Sequence, residues 1–256
     1  TSRSARKSVR MNPDLRRCEP SIILPPTRQT TPMTVTEALK TRISTRAFLD
    51  QPLTEATLRD ILDAARWSPS GGNVQPWKVI AVSGAAQEAV KALVRDYKGP
   101  GMFPDEEGAY PVYPANLWDP YRSRRYKVGE DLYALLGIGR DNKPGRLKQL
   151  AKNFDFFGAP VGLFFVIDGR MGHGQWAHLG MFMQSVALAA TERGVASCFQ
   201  ELWGTMRTTL KAHFQLDEHD LLYCGMALGY ADESAAVNTL RTEREPVDSF
   251  ARFHFD

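Results

Sequence analysis

The 256-residue chain lacks most of the features that would announce its chemistry. Its three cysteines, Cys18, Cys198 and Cys224, form no CxxC pair and no even-numbered set, which excludes a disulfide scaffold and implies a reducing, cytoplasmic setting. No run approaches the about 18 to 20 apolar residues of a membrane span, and VGLFFVI (161–167) has only the length of a strand. The start carries charge with no apolar run behind it, unlike a secretory signal. It is arginine-rich like a transit peptide, but Pro13, Pro20, Pro25, Pro26 and Pro32 oppose an amphipathic helix. GxxxxGK[ST], HExxH, GxSxG and EF-hand patterns are all missing. His173 and His178, like His213 and His219, are badly spaced for one helical face, so no metal is expected.

Net charge is also scarce, at +3 from 32 basic and 29 acidic residues. Residues 1–31 hold seven basic and two acidic side chains, leaving 25 basic and 27 acidic for the remaining 225 residues. We therefore read 1–31 as a flexible basic extension and 32–256 as one nearly neutral domain. A slightly negative body without a recognised binding motif argues against nucleic acid as a partner, despite the basic run Arg122, Arg124, Arg125, Lys127.

What is present is core material: 43% hydrophobic residues, with 13 Phe, 8 Tyr and 5 Trp. Thr34 with Glu37 predicts a capping box for a helix over VTEALKT, and Thr54 caps EATLRDILDAARW, which Ser68-Pro69 ends. WKVIAVS (77–83) reads as a strand, followed by a helix over 85–97. Between 98 and about 127 the periodicity fails, and five prolines, four tyrosines and Trp118 suggest an insertion or lid. Short helices are expected at 129–138 and 144–153, then a strand at 161–167. The most apolar helix, 175–193, presents Trp176, Leu179, Phe182, Met183, Val186, Ala187 and Ala190, a face broad enough to need burial on more than one side. A strand at 195–199, a helix at 202–213 and the strand LLYCGMALGY complete an α+β pattern. Gly172-His173-Gly174-Gln175-Trp176-Ala177 imitates a dinucleotide fingerprint, but four residues separate it from the strand and no βαβ series surrounds it, so it reads as a loop and helix start.

Two segments point to an anionic, flat ligand. Thr41-Arg42-Ile43-Ser44-Thr45-Arg46 sets two guanidinium groups four residues apart with hydroxyls between them, a donor set suited to phosphate. Ser68-Pro69-Ser70-Gly71-Gly72-Asn73-Val74-Gln75-Pro76-Trp77 joins helix to strand through permissive glycines and amide side chains. A solvated helix end and an ordinary turn remain open for these segments taken singly.

Together, RxSxRxF (42–48), PSxxNxQPW (69–77) and the late Gly194-Val195-Ala196-Ser197-Cys198-Phe199 resemble the FMN-dependent nitroreductases, as do Gly229-Tyr230-Ala231-Asp232 and Arg241-Thr242-Glu243-Arg244. The resemblance spans roughly residues 35–250. It implies an α+β sandwich with a central, mostly antiparallel sheet flanked by helices, forming an obligate homodimer with two FMN sites at its interface. It also implies that Arg42, Ser44 and Arg241 hold the FMN phosphate, with Arg46 near the ribityl chain and pyrimidine edge as a charge stabiliser. Ile43 replaces a second basic or polar residue of many relatives. Pro69, Ser70, Gly71 and Asn73 would reach the flavin held mainly by the other subunit, while Cys198, Phe199 and Gln200 would pass near its N5. Arg244 either joins the clasp or pairs with Glu243 or Glu245. No side chain need act covalently: the flavin would carry hydride from NADH or NADPH to a nitroaromatic in a ping-pong cycle. Tyr110, Tyr113, Trp118 and Tyr121 are candidate covers for the ring, with Arg122, Arg124 or Arg125 attracting an anionic substrate. A dehalogenase, enone reductase or azoline oxidase on the same scaffold, or a flavin-free binding protein, are the alternatives.

Overall fold

The computed structural model describes residues 33–97 and 111–255; the 1–31 extension, Tyr110 and the first part of the expected insertion lie outside them. Helix α1 (Val35–Thr41) opens on the expected capping box: Thr34 Oγ1 accepts from Glu37 N at 3.2 Å and Glu37 Oε2 accepts from Thr34 N at 2.7 Å. Thr54 caps α2 (Glu55–Ala65) by accepting from Thr57 N at 3.1 Å. The chain continues through β1 (Lys78–Ser83), α3 (Gly84–Arg95), α4 (Tyr121–Leu135), α5 (Lys143–Ala151) and β2 (Val161–Asp168). It ends with α6 (His173–Glu192), β3 (Ala196–Gln200), a 3₁₀ segment Glu201–Met206, α7 (Arg207–His213) and β4 (Asp220–Gly229).

The four strands form one antiparallel sheet in the order β1-β2-β4-β3. Alternation along β2 divides the core in two. Leu163, Phe165 and Ile167 pack with α2 and α6 on one face, whereas Phe164 and Val166 meet Trp203, Met206 and Leu210 on the other. These side chains are fully buried, each contributing about 1.5–3 kcal/mol. Phe165 pairs with Cys224 but Val166 with Leu222, so Tyr223 is the extra residue of a bulge that turns Leu222 to the α7 face. Gly225 is required where Trp203 lies against the sheet, since a β-carbon there would collide with the indole. Ahead of β2, Phe156 (φ 48°) and Phe157 (φ 55°) adopt the left-handed conformation at about 1–2 kcal/mol each. Stacking of buried Phe156 on Trp203, centroids 4.9 Å apart, helps hold that turn.

Two expectations need correction. The 3₁₀ segment interrupts the helix expected at 202–213, and α4 begins at Tyr121, inside the region read as an irregular insertion and eight residues before the helix expected at 129–138. No residue of α4 is buried, so it has no apolar face to generate periodicity. Charge holds it instead: Asp119 accepts from Ser123 N at 3.2 Å and pairs with Arg122, and Lys127 pairs with Asp131 at 2.7 Å. The fingerprint-like segment resolves as read: β2 is flanked only by antiparallel neighbours, and α6 starts at His173 after a turn. None of the helices among the described residues is long and apolar enough to cross a membrane.

Candidate functional site

The segment after α1 lies against the edge of the sheet. Ser44 bridges Ser197 of β3, Thr45 N donates to Ser197 O at 3.0 Å, and Phe48 bridges Ala231 beyond β4. Buried Asn238, which no local motif singles out, fixes this segment with three bonds: its Oδ1 accepts from Arg46 N at 2.8 Å, and its Nδ2 donates to Ala47 O and Asp232 O, both at 2.8 Å. One amide thus ties the RxSxR segment to the stretch leading to Arg241.

Arg42, Arg46, Arg241 and Arg244 gather near this edge of the sheet without a carboxylate partner among the described residues. Nine other arginines among the described residues, such as Arg59 with Glu55 and Arg146 with Glu130, form ion pairs with carboxylates. Among the described residues none of these four does, and neither do Arg125 of α4 and Arg252 near the end of the chain. Arg46 Nη1 donates only to Ser44 O (3.2 Å), Arg241 Nη1 to Asn238 O (2.9 Å) and Leu240 O, and Arg244 Nη1 to oxygens of Thr242 and Glu243. Half-buried Arg42 has its Nε shut away from solvent with no partner. Burial lowers its pKa, and the nearby positive charge of Arg244 lowers it further. With Glu233 as the carboxylate lining the adjoining cavity, the cluster still carries an excess of positive charge, and its donors match a phosphate. Arg42, Ile43 and Arg241 also line a cavity of about 650 Å³ with Thr191, Gly194 and Ser197.

The glutamates beside Arg244 explain its freedom. Glu245 pairs with Arg124 at 3.0 Å and Glu243 approaches Lys127 at 3.5 Å, both cations coming from α4. The surface pairing of Arg244 with Glu243 or Glu245 is not found among the described residues.

Along β3 the side chains divide by parity. Cys198 and Gln200 point into the α7-side core, where Gln200 Nε2 donates to Asn153 O at 2.7 Å. Burial pushes the Cys198 thiol up to about 11, which Arg46, Ser44 and Arg42 only partly oppose, so it is no thiolate nucleophile. What β3 can offer a ligand is backbone: Ser197 O faces the outer edge, and period two puts the Phe199 N–H on that edge as well. Phe199 also lines a cavity of about 400 Å³ with Gln184, Glu201 and the bulged Tyr223. Glu201 reaches solvent at its rim, yet surrounding protein raises its pKa against the pull of Arg207. Glu201 and Tyr223 were invisible in the sequence because only the bulge and the turn after β3 bring them together.

The turn containing Pro69, Ser70, Gly71 and Asn73 is exposed apart from half-buried Ser70. Gly72 (φ 63°), Asn73 (φ 53°) and Gln75 (φ 50°) are left-handed, and Ser70 Oγ accepts from Gln75 N at 2.9 Å. The turn abuts the start of α6, where Gly71 N meets His178 Nδ1 at 3.4 Å. The arginine cavity lies by Thr191, near the other end of α6. Thirteen helical residues separate the two, about 20 Å. A single chain therefore does not bring both motif segments to one point.

The expected substrate residues are likewise divided. Trp118 and Arg122 line a third cavity, of about 700 Å³, with Arg125 and Tyr126. The Arg125 guanidinium sits 4.0 Å from the Tyr113 ring centroid, and Tyr121 meets Trp118 edge-on at 5.6 Å. Arg124 occupies the opposite side of α4, tied to Glu245.

Comparison with known proteins agrees with this geometry. The Nitroreductase family pattern matches residues 39–230. The 4-nitrobenzoate reductase of Pseudomonas putida is 38% identical over 83% of this chain and 92% of its own, and the chloronitrobenzene nitroreductase of Comamonas testosteroni 34% identical over 86% and 96%. A crystal structure of an FMN and NADPH-dependent nitroreductase, NfnB from sphigopyxis sp. strain HMH, superposes with a TM-score of 0.82 at 43% identity, covering 87% of this chain and all of that one. The FMN-dependent NfnB from Mycobacterium smegmatis, solved in complex with NADPH, gives 0.78 at 30% identity over 86% and 97%. With its arginine cluster, its antiparallel sheet and this agreement along most of its length, the chain belongs to the nitroreductase family.

Proposed function

We propose that the chain is an FMN-dependent oxidoreductase that uses NADPH or NADH to reduce nitroaromatic compounds, working as a homodimer. The observation that carries this reading is the set of four arginines without carboxylate partners, one with a buried, unbonded Nε. Arg42, Arg241 and Arg244, with the Ser44 hydroxyl, are the groups to hold the FMN phosphate. Arg46, its backbone fixed by Asn238, is the cation to stabilise negative charge on the flavin's pyrimidine edge. The open N–H edge at Phe199 is available to the ring. FMN held by these residues would supply two-electron chemistry, accepting hydride from the nicotinamide and passing it to the acceptor.

The dimer is supported by two features. Val35 and Leu39 of α1, Trp67 and Val74 around the turn, and Met181 of α6 all expose apolar surface, Trp67 to 79%. Both α1 and the turn pack on α6. Two copies related by a twofold axis with antiparallel α6 helices would cover this surface and bring the Ser70-Gly71 turn of one to the arginines of the other. The curated relatives' acceptors, 4-nitrobenzoate and chloronitrobenzene, support a nitroaromatic substrate here. The test is anaerobic turnover of 4-nitrobenzoate by the purified protein. The reading expects a yellow dimer that oxidises NAD(P)H only when FMN is bound; a colourless protein that retains no added FMN would refute it.

A further inference from the structure

The cavity on the outer side of α4 belongs to neither the arginine cluster nor the cavity beside Phe199. Residues 122, 125, 126 and 129 recur at helical spacing and line it, whereas 124, 127, 128 and 131 face the 242–245 segment. Its charge is unbalanced. Among the described residues, Arg122, Arg125 and Arg146, with Arg140 beside them, set four guanidinium groups against the two carboxylates paired with them, Asp119 and Glu130. Glu130 is already engaged by Arg146 and Arg140, each at 2.8 Å, and Asp119 by Arg122. Arg125 has no ion pair among the described residues and lies over the Tyr113 ring, which holds its plane. Trp118, 58% exposed, and Tyr126 add aromatic surface.

An excess of two positive charges beside exposed rings suits a phosphomonoester attached to a purine. We propose that this cavity binds the adenosine 2′-phosphate of NADPH, with Arg125 as the principal phosphate ligand, Arg122 as the second and Trp118 stacking on adenine. This rests on the reading that a reduced nicotinamide dinucleotide is the electron donor. Size and charge decide between this ligand and a carboxylated acceptor. A nitrobenzoate, with one ring and one carboxylate, would leave most of a cavity of about 700 Å³ empty and balance only one of the two excess charges. A purine nucleoside phosphate brings a larger ring system and a charge of about −2. The cavity would then select NADPH over NADH, which differ only in that phosphate.

The test uses the full chain loaded with FMN and two variants, Arg125→Gln and Arg122→Gln. Calorimetry with adenosine 2′,5′-bisphosphate and adenosine 5′-monophosphate reads binding apart from turnover. The bisphosphate should bind the wild type at least about tenfold more tightly, and Arg125→Gln should abolish most of that difference. In steady state, kcat/KM for NADPH should fall about tenfold or more in Arg125→Gln, and less in Arg122→Gln, with NADH values held and FMN content unchanged. Equal binding of the two nucleotides to the wild type would overturn the proposal, as would an equal loss for NADPH and NADH. A rise in the KM for 4-nitrobenzoate alone would also overturn it, by assigning the cavity to the acceptor. Selective bisphosphate binding by a preparation that holds no flavin would uphold the cavity and contradict the flavin reading.

Discussion

Replacing Arg42 by Met keeps most of the side chain's volume and removes its charge. In most proteins, losing a half-buried arginine costs stability, because it leaves a partner unpaired. Arg42 has no carboxylate partner, its Nε is buried without a bond, and Arg244 repels it. A buried unsatisfied donor costs about 1–3 kcal/mol. The FMN-free Arg42→Met protein should therefore be as stable as the wild type, or more so by about 1 kcal/mol. The FMN complex should behave oppositely. A charge-assisted hydrogen bond to phosphate is worth about 1.5–3 kcal/mol, so FMN affinity should drop about 10- to 150-fold. At FMN one hundred times the wild-type Kd, ligand stabilisation is about 2.7 kcal/mol; a 30-fold weaker variant retains about 0.9 kcal/mol. For a domain of this size that reduces the FMN-induced rise in Tm from about 5–11 °C to about 2–3 °C. Melting curves with and without FMN, alongside flavin fluorescence titration, give both numbers. A variant that is clearly destabilised without FMN, yet binds FMN normally, would refute the assignment and make Arg42 a structural residue.

Other expectations follow from the same geometry. Asn238→Ala strands Arg46 N, Ala47 O and Asp232 O, and should cost about 2–4 kcal/mol in denaturant melts while weakening FMN binding, with the Asn238→Asp variant restoring only the bond from Arg46 N. Glu130, bonded by Arg146 and Arg140, is held down to about 2 from an ordinary value near 4.5, so its contribution is present above pH 4.5 and lost as pH falls towards 2. The Tm difference between wild type and Glu130→Gln should accordingly be constant near neutral pH and shrink across that acid window; a difference that grows on acidification would contradict the pairing. Trp67→Glu together with Met181→Glu places charges on the apolar face beside α6 and should shift sedimentation from dimer to monomer with loss of bound FMN; an intact dimer would assign that face another role.

How much of this was legible beforehand depended on whether the signal was local. Helix α1 and helix α2 announced themselves through Thr34, Glu37 and Thr54, since caps act within one turn of chain. Strand β2, buried on both faces, read as an unbroken apolar run. The Arg42-Ser44-Arg46 spacing and the Ser70-Gly71-Asn73 turn were visible because each motif is contiguous. Helix α4 was not, because none of its residues is buried, and its support comes from Asp119, Arg122, Lys127 and Asp131. Arg244 could not be separated from Glu243 and Glu245 by sequence proximity, since the cations that occupy those glutamates lie more than 110 residues upstream. Asn238 and Tyr223 carried no local pattern at all. Their roles come from a three-way hydrogen bond across the fold and from a bulge in β4.

The central claim, a flavin reductase with two separable half-reactions, is tested most directly by anaerobic stopped-flow absorbance of the purified protein. The account predicts that NADPH alone bleaches the flavin band in proportion to the nicotinamide oxidised, and that 4-nitrobenzoate added after removal of nucleotide restores it. Absence of a flavin band, or NADPH oxidation only when the acceptor is present at the same time, would contradict it.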